Sequence, residues 1–157
     1  MSVGTRMSGR WHRWLYRGGR PNRVARIMNR AGAIGSATGL ARHWVTLEVR
    51  GRRTGRAVSF PLVAADYQGQ WYLVSMLGED ANWVRNVRAA GGRAVLRHGR
   101  RRQVALQEVE PALRPPIIRR YLRLAPGARP HIPVNRHAPL DDFERIADRV
   151  PVFRILR

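Results

Sequence analysis

Two short segments carry the residues best suited to chemistry. Gly51-Arg52-Arg53-Thr54-Gly55 lies between two runs of alternating hydrophobicity, so its glycines can turn the backbone and aim amide N–H groups, two guanidinium groups and a hydroxyl at one point. A loop of that composition suits a phosphate. Farther along comes Leu77-Gly78-Glu79-Asp80-Ala81-Asn82-Trp83-Val84-Arg85-Asn86, a glycine turn leading into a helix that Asp80 or Asn82 can cap.

Composition removes several other chemistries. The 30 basic residues are all arginine, against 10 acids, for a formal charge of +20. Without lysine there is no Schiff base and no P-loop lysine. With Cys 0 there is no disulfide, zinc-thiolate site, iron–sulfur ligation or cysteine nucleophile. His131 and His137 with Asp141 and Asp142 match no common metal spacing, and prolines intervene, so no metal is expected. No catalytic triad is visible. The charge points to an anionic partner: nucleic acid, an acidic membrane surface or a polyanionic cofactor.

The elements that must position these residues follow from periodicity. Val45, Leu47 and Val49 alternate with Thr46, Glu48 and Arg50, predicting a strand with one buried face. Ala57 to Ala65 predicts a second strand, in which Pro61 demands an edge or a bulge. After the turn Asp66-Tyr67-Gln68-Gly69, Gln70 to Met76 predicts a third, with Trp71, Leu73 and Ser75 on one face and Tyr72, Val74 and Met76 on the other. A short helix then carries Trp83, Val84 and Val87 inward and ends at Gly91-Gly92. Arg93 to Arg97 and Arg101 to Val109 predict a hairpin around His98-Gly99. Pro115-Pro116 opens a helix with the apolar stripe Ile117, Ile118, Tyr121, Leu122 and Leu124. Pro126 to Pro139 is a loop rich in breakers, Leu140 to Val150 predicts a last helix with Leu140, Phe143, Ile146 and Ala147 inward, and Val152 to Leu156 a closing strand. The expected fold is α+β, a mostly antiparallel β-barrel with peripheral helices.

Residues 1–39 read as a separate basic segment, ahead of a barrel domain expected at 40–157. The first 47 residues hold nine arginines and no acid. Trp11, Trp14, Leu15, Val24, Ile27, Met28 and Ala31 recur at helical spacing, predicting two amphipathic helices that pack on the barrel or lie at a membrane surface. No apolar h-region separates Arg6, Arg10, Arg13 and Arg17, and no apolar run approaches the ~20 residues that cross a bilayer. The expected location is cytoplasmic, with any membrane contact peripheral, at the inner face of the plasma membrane, through residues 1–31.

These residues carry a resemblance. Leu47 to Gly55, then Pro61-Leu62, then Gly78 and Asn82-Trp83-Val84-Arg85-Asn86-Val87-Arg88-Ala89 resemble the deazaflavin-dependent nitroreductase and F420H2-dependent quinone reductase family. The tail, with Ala125-Pro126-Gly127-Ala128-Arg129-Pro130 and Pro151-Val152-Phe153-Arg154-Ile155, is similar to one branch of it. The resemblance spans Gly39 to Arg157. It implies a split β-barrel of the FMN-binding type that holds coenzyme F420 and transfers a hydride from its reduced form to a quinone or nitro acceptor. The cofactor phosphate would sit on Arg53-Thr54-Gly55 with Arg52 and Arg56 nearby, and the glutamate tail would follow a positive track. Ser75, Met76, Leu77 and Gly78 would line the ring site, with Asn82 leading into the helix and Trp83 and Asn86 on the phosphate side. Tyr121 is the candidate for steering or protonating substrate. The sequence departs from the family at Val58, where an arginine is common, at Met76 and Leu77, in place of a serine and a lysine, and at Glu79, in place of a second glycine.

Each of these features has a structural reading as well. Gly51 to Gly55 also reads as a plain hairpin loop, Trp83 as a core anchor and Tyr121 as a packed ring. FMN in place of F420, a non-catalytic carrier of F420 or a lipid, and a basic nucleic-acid-binding module all stay open. Arginine spread over the whole chain, with no recognition helix or RNA-binding aromatic motif, argues against specific nucleic acid. A homodimer also stays open.

Overall fold

The computed structural model describes residues 40–157. The expected helices and membrane contact of residues 1–31 lie outside the described residues.

Six strands close into an antiparallel barrel in the order β1-β2-β3-β6-β5-β4. They are β1 (Trp44–Arg50), β2 (Ala57–Tyr67), β3 (Gln70–Val74), β4 (Arg93–His98), β5 (Arg100–Glu108) and β6 (Val152–Leu156). The helices are α1 (Asn82–Ala89), α2 (Pro115–Leu124) and α3 (Leu140–Glu144). This is the mostly antiparallel α+β barrel that the alternating strands predict, and the split barrel that the resemblance implies. Closure brings β1 against β4, far apart in sequence.

Two apolar clusters divide the strand faces. Val45, Leu47, Val49, Phe60, Leu73, Leu96, Leu106, Phe153 and Ile155 fill the barrel, joined by Trp83, Val84 and Val87 of α1. Val63, Ala65, Val74 and Val152, on the outer side, lie under Ile117, Ile118, Leu122 and Phe143 of α2 and α3. Full burial of each such large side chain contributes about 1.5–3 kcal/mol. The two faces expected for the third strand are thus both real: Leu73 packs inside the barrel and Val74 beneath the helices.

Pro61 sits where β2 has one neighbour. Residues 57–63 of β2 pair with β1 and residues 64–67 with β3, so Pro61, opposite Thr46, has an open side and its missing N–H is not needed there. The hairpin to β3 is tighter than expected, a two-residue turn at Gln68 and Gly69 with φ of 49° and 74°, the handedness that matches strand twist.

The second strand runs on to Tyr67, the strands of the β4–β5 hairpin shift by one residue, and two further boundaries differ from expectation. The third strand stops at Val74 instead of Met76, because Ser75 N–H donates to Pro151 O at 2.9 Å and its Oγ donates to Gly78 O at 2.7 Å, turning the chain. The expected last helix is broken: α3 ends at Glu144 and a separate 3-10 turn covers Ala147–Arg149. At the break the backbone tightens to three-residue bonds, Ile146 N–H to Phe143 O at 3.3 Å and Arg149 N–H to Ile146 O at 3.0 Å, and buried Arg114 caps the segment beyond it, its Nη1 donating to Ala147 O and Val150 O at 2.9 and 3.3 Å. Leu140, expected inward, is 36% exposed.

Helix α1 ends in a Schellman motif. Gly92 N–H donates to Val87 O and Gly91 N–H to Arg88 O, with φ of 64° at Gly91 and 82° at Gly92. Gly92 then accepts from Leu106 N–H at 2.7 Å, which seats the helix end against β5.

Candidate cofactor site

The glycine–arginine loop and α1 meet. Asn86 projects from α1, and its Oδ1 accepts from Arg52 N–H at 3.2 Å and from Arg52 Nη1 at 2.8 Å. Asn86 is 4% exposed, so the anchor is shielded from water.

The loop closes on itself around Gly51. Gly51 N–H donates to Arg56 O at 2.7 Å and Gly55 N–H to Gly51 O at 2.9 Å. A Cβ at Gly51 would stand 3.0 Å from Thr54 Oγ1 and 3.1 Å from Arg56 O, so a larger residue would push the hairpin open. Thr54 Oγ1 also accepts from Arg56 N–H at 3.3 Å. Among the described residues, the N–H groups of Arg53 and Thr54 have no acceptor, and both residues are exposed. Two free backbone donors, with the guanidinium groups of Arg52, Arg53 and Arg56 on the same hairpin, fit an anionic oxygen cluster such as a phosphate.

Two grooves extend from this loop. One, of about 490 Å³, is lined by Arg50, Gly51, Arg52, Gly55, Ala89, Ala90 and Arg93. The other, of about 710 Å³, shares Arg50, Gly55 and Arg93 with it and continues past Glu48 and Gln103 to Arg101. Together they form a track of positive charge over the outward faces of β1, β4 and β5. Glu48 sets its far end. It is 3% exposed, bonded by Arg101 at 2.8 Å and Arg97 at 3.3 Å. Arg97 and Arg101 stand directly opposite each other across the β4–β5 hairpin, an arrangement that repels without a counter-charge between them.

The other expected site residues are placed as follows. Arg53, Thr54, Gly55 and Arg56 are exposed on the hairpin. Asn82 is exposed at the start of α1, and Leu77 is exposed beside Gly78, whose φ is 77°. Met76 is partly buried against the helical layer. Ser75 is buried with its hydroxyl engaged by Gly78 O, and Trp83 is buried in the barrel with its ring centroid 5.5 Å from that of Phe153. Neither groove is lined by residues 75–78, Asn82 or Trp83. Tyr121 is 4% exposed within the apolar cluster under α2, and burial pushes its hydroxyl pKa far upward. Among the described residues no group of three or more His, Asp or Glu could hold a metal.

Sequence reasoning missed Glu48, Arg50 and Arg93, and it grouped Arg101 with Arg97, Arg100 and Arg102 only as charge for a nucleic acid. Arg50 and Arg93 each directly adjoin a glycine, Gly51 or Gly92, at the outward positions of their strands, and that was the available signal. The place of Glu48 follows from pairing of β1 with β4, which strand periodicity does not disclose.

Comparison with known proteins decides the family. Residues 21–130 match the model of the F420H2-dependent quinone reductase family. The chain belongs to that family. An F420H2-dependent quinone reductase family member takes reduced F420 as hydride donor, which makes this chain an F420H2-dependent reductase. Solved structures similar to this family member include an F420-H2 dependent reductase, 22% identical, covering 73% of this chain and 94% of its own with a TM-score of 0.45. A conserved hypothetical protein from Mycobacterium tuberculosis is 13% identical and covers 79% of this chain and 78% of its own, with a TM-score of 0.53. A candidate 5-nitroimidazole antibiotic resistance protein from Bacteroides thetaiotaomicron is 9% identical, covering 82% and 78% with a TM-score of 0.51. The latter two share the fold. No curated protein matches the sequence. Among the described residues no helix is long and apolar enough to cross a membrane.

Proposed function

We propose that this reductase passes the hydride of reduced F420 to a quinone or nitro compound, with the cofactor phosphate on the Arg52–Arg56 hairpin and its glutamate tail along the arginine track. The bond from Asn86 to Arg52 carries this reading, because it ties the anion-binding loop to the helix that follows the Leu77-Gly78 turn. Bound F420 supplies the hydride from its ring. The chain supplies placement: Arg53 and Thr54 amides and the hairpin guanidinium groups hold the phosphate, and Arg50, Arg93 and Arg101 attract carboxylates. Exposed Leu77 beside Gly78 offers an apolar contact for the ring side. Ser75, Trp83 and Asn86 support these contacts from beneath. Tyr121, enclosed by aliphatic side chains, is assigned no proton transfer.

The test is a titration with F420 and with FMN, followed by ring fluorescence, then turnover of reduced F420 with menadione or a nitroaromatic acceptor. Selective F420 binding and acceptor-dependent oxidation are expected. Equal FMN binding would transfer the site to flavin, binding without turnover would make the protein a carrier, and salt-dependent DNA binding without F420 uptake would make it a nucleic-acid module.

A further inference from the structure

A second arginine-lined groove lies in the loop between α2 and α3, and its lining includes no residue given a part in F420 binding. It encloses about 480 Å³ and is lined by Arg129, Ile132, Pro133, Val134, Asn135, Arg136 and His137. Among the described residues no carboxylate lines it, and neither arginine has an ion-pair partner.

The loop is held in shape before any ligand arrives. Ile132 is buried in the outer apolar cluster, and Val134 and Ala138 pack against the same cluster. Asn135 bridges the turn: its Oδ1 accepts from His137 N–H at 2.8 Å and its carbonyl from Ala138 N–H at 2.9 Å. Arg129 is fixed at the end of α2, its Nε donating to Leu122 O at 3.0 Å and its Nη2 to Arg123 O at 3.5 Å, so Nη1 is left without a partner among the described residues. Arg136 Nε donates to His137 Nε2 at 3.0 Å, which leaves both of its Nη groups unpaired and, in the neutral ring, puts the imidazole proton on Nδ1. Burial lowers the pKa of Arg129, and the charge of Arg136 pushes in the same direction, so the two cations repel each other.

The geometry points to an oxyanion site at Arg129 and Arg136, taking a phosphate or carboxylate group that bridges the two guanidinium groups, with His137 as a further donor. Two planar forks with free Nη groups suit an oxyanion, and an incoming anion removes their repulsion. This site is independent of the F420 reading.

Titration of the full chain with inorganic phosphate at constant ionic strength, followed by residue-resolved amide NMR, tests it. Phosphate at the Arg52–Arg56 hairpin reports on different amides, so failure of one site is distinguishable from failure of the other. Amide shifts of Asn135, Arg136 and His137 are expected to saturate, and Arg136→Gln to weaken the midpoint at least tenfold. Arg129→Gln is expected to do the same, but it also removes a helix-end contact. Arg136→Gln, which touches no helix end, therefore decides if that variant unfolds. Shifts that rise without saturation, or that persist unchanged in Arg136→Gln, overturn the site. With saturation established, sedimentation with phosphatidylglycerol vesicles over phosphatidylcholine identifies the source. Loss in the variant assigns the oxyanion to a lipid headgroup, no change assigns it to a soluble anion, and both uphold the site.

Discussion

Asn86 Oδ1 receives both the backbone N–H and the Nη1 of Arg52, so one buried amide oxygen sets the position and the side-chain direction of the arginine at once. A leucine at position 86 would leave the Arg52 amide unpaired at a half-buried place. A water could satisfy the amide there but would not fix the guanidinium.

The Asn86→Ala variant is therefore expected to lose about 1–3 kcal/mol through the hydrogen bonds to a charged donor. In binding, that is roughly a tenfold weaker F420 titration or more. Fluorescence titration beside a thermal melt separates the two losses. If affinity stays at the parent value while the melting temperature falls, the hairpin does not depend on Asn86 for its binding geometry.

Arg50 and Arg93 line both grooves, so they are the charges best placed to attract a carboxylate tail. They are exposed, and each is expected to contribute about 0.5–1 kcal/mol in moderate salt. Arg50→Gln with Arg93→Gln should weaken F420 binding several-fold and flatten its dependence on salt. The measurement is the dissociation constant at low and high sodium chloride. Equal slopes for parent and variant would show that the track carries no part of the cofactor.

Much of the barrel was legible because local pattern and tertiary environment agree. Leu47, Leu73 and Phe153 alternate with outward residues in the sequence and face inward in the fold. The break after α3 was not legible: Phe143, Ile146 and Ala147 keep helical spacing and are all buried, yet the backbone there closes i→i+3 bonds, and the carbonyls at its end are met by the guanidinium of Arg114, 33 residues away from Ala147. At the site, the hairpin and α1 were readable from their glycines, but the expected cap was not: the N-cap is Ala81, with no side-chain cap bond, and Asp80 pairs with Arg85 instead. The union of the hairpin and α1 through Arg52 and Asn86, and the seat of Glu48 under Arg97 and Arg101, depend on barrel closure, which no short window contains.

His43 gives the fold a pH dependence. It is 1% exposed, with Nδ1 3.0 Å from Ala64 O and 3.8 Å from Asp66 Oδ1, Arg42 on Nε2, Trp71 against the ring and Arg120 beyond Asp66. Burial lowers its pKa and outweighs the raising effects of Ala64 O and Asp66. The unfolded chain therefore binds a proton at a pH where the native ring stays neutral, and stability falls as pH drops below the ordinary value of 6.5 toward the lower native one. The slope in that window is at most about 1.4 kcal/mol per pH unit from this one group. For Asp66, burial works upward but the Arg120 bonds prevail and hold the pKa low, so its contribution is lost only at more acid pH, below its ordinary 3.8. Urea unfolding between pH 7 and 5.5 should show the decline, and His43→Gln should flatten it. An unchanged slope in that variant would place the dependence on another group.

Gly92 is the position where the fold tolerates least. A Cβ there would stand 2.4 Å from Leu106 O, a backbone atom held in β5, and φ of 82° is a conformation that side-chain-bearing residues rarely adopt. The chain cannot shift locally, because Gly92 N–H is bonded to Val87 O and its carbonyl to Leu106 N–H. Gly92→Ala is expected to destabilise by about 2–4 kcal/mol, from strain in the left-handed region plus the displaced β5 contact. Gly69 supplies the comparison: its φ is 74° but nothing lies within 4 Å of the added Cβ, so Gly69→Ala should incur the backbone strain alone, about 1 kcal/mol. Denaturant unfolding of both variants isolates the steric part. Equal losses at the two positions would mean that β5 yields to the new methyl and that the helix end is not clamped as its hydrogen bonds require.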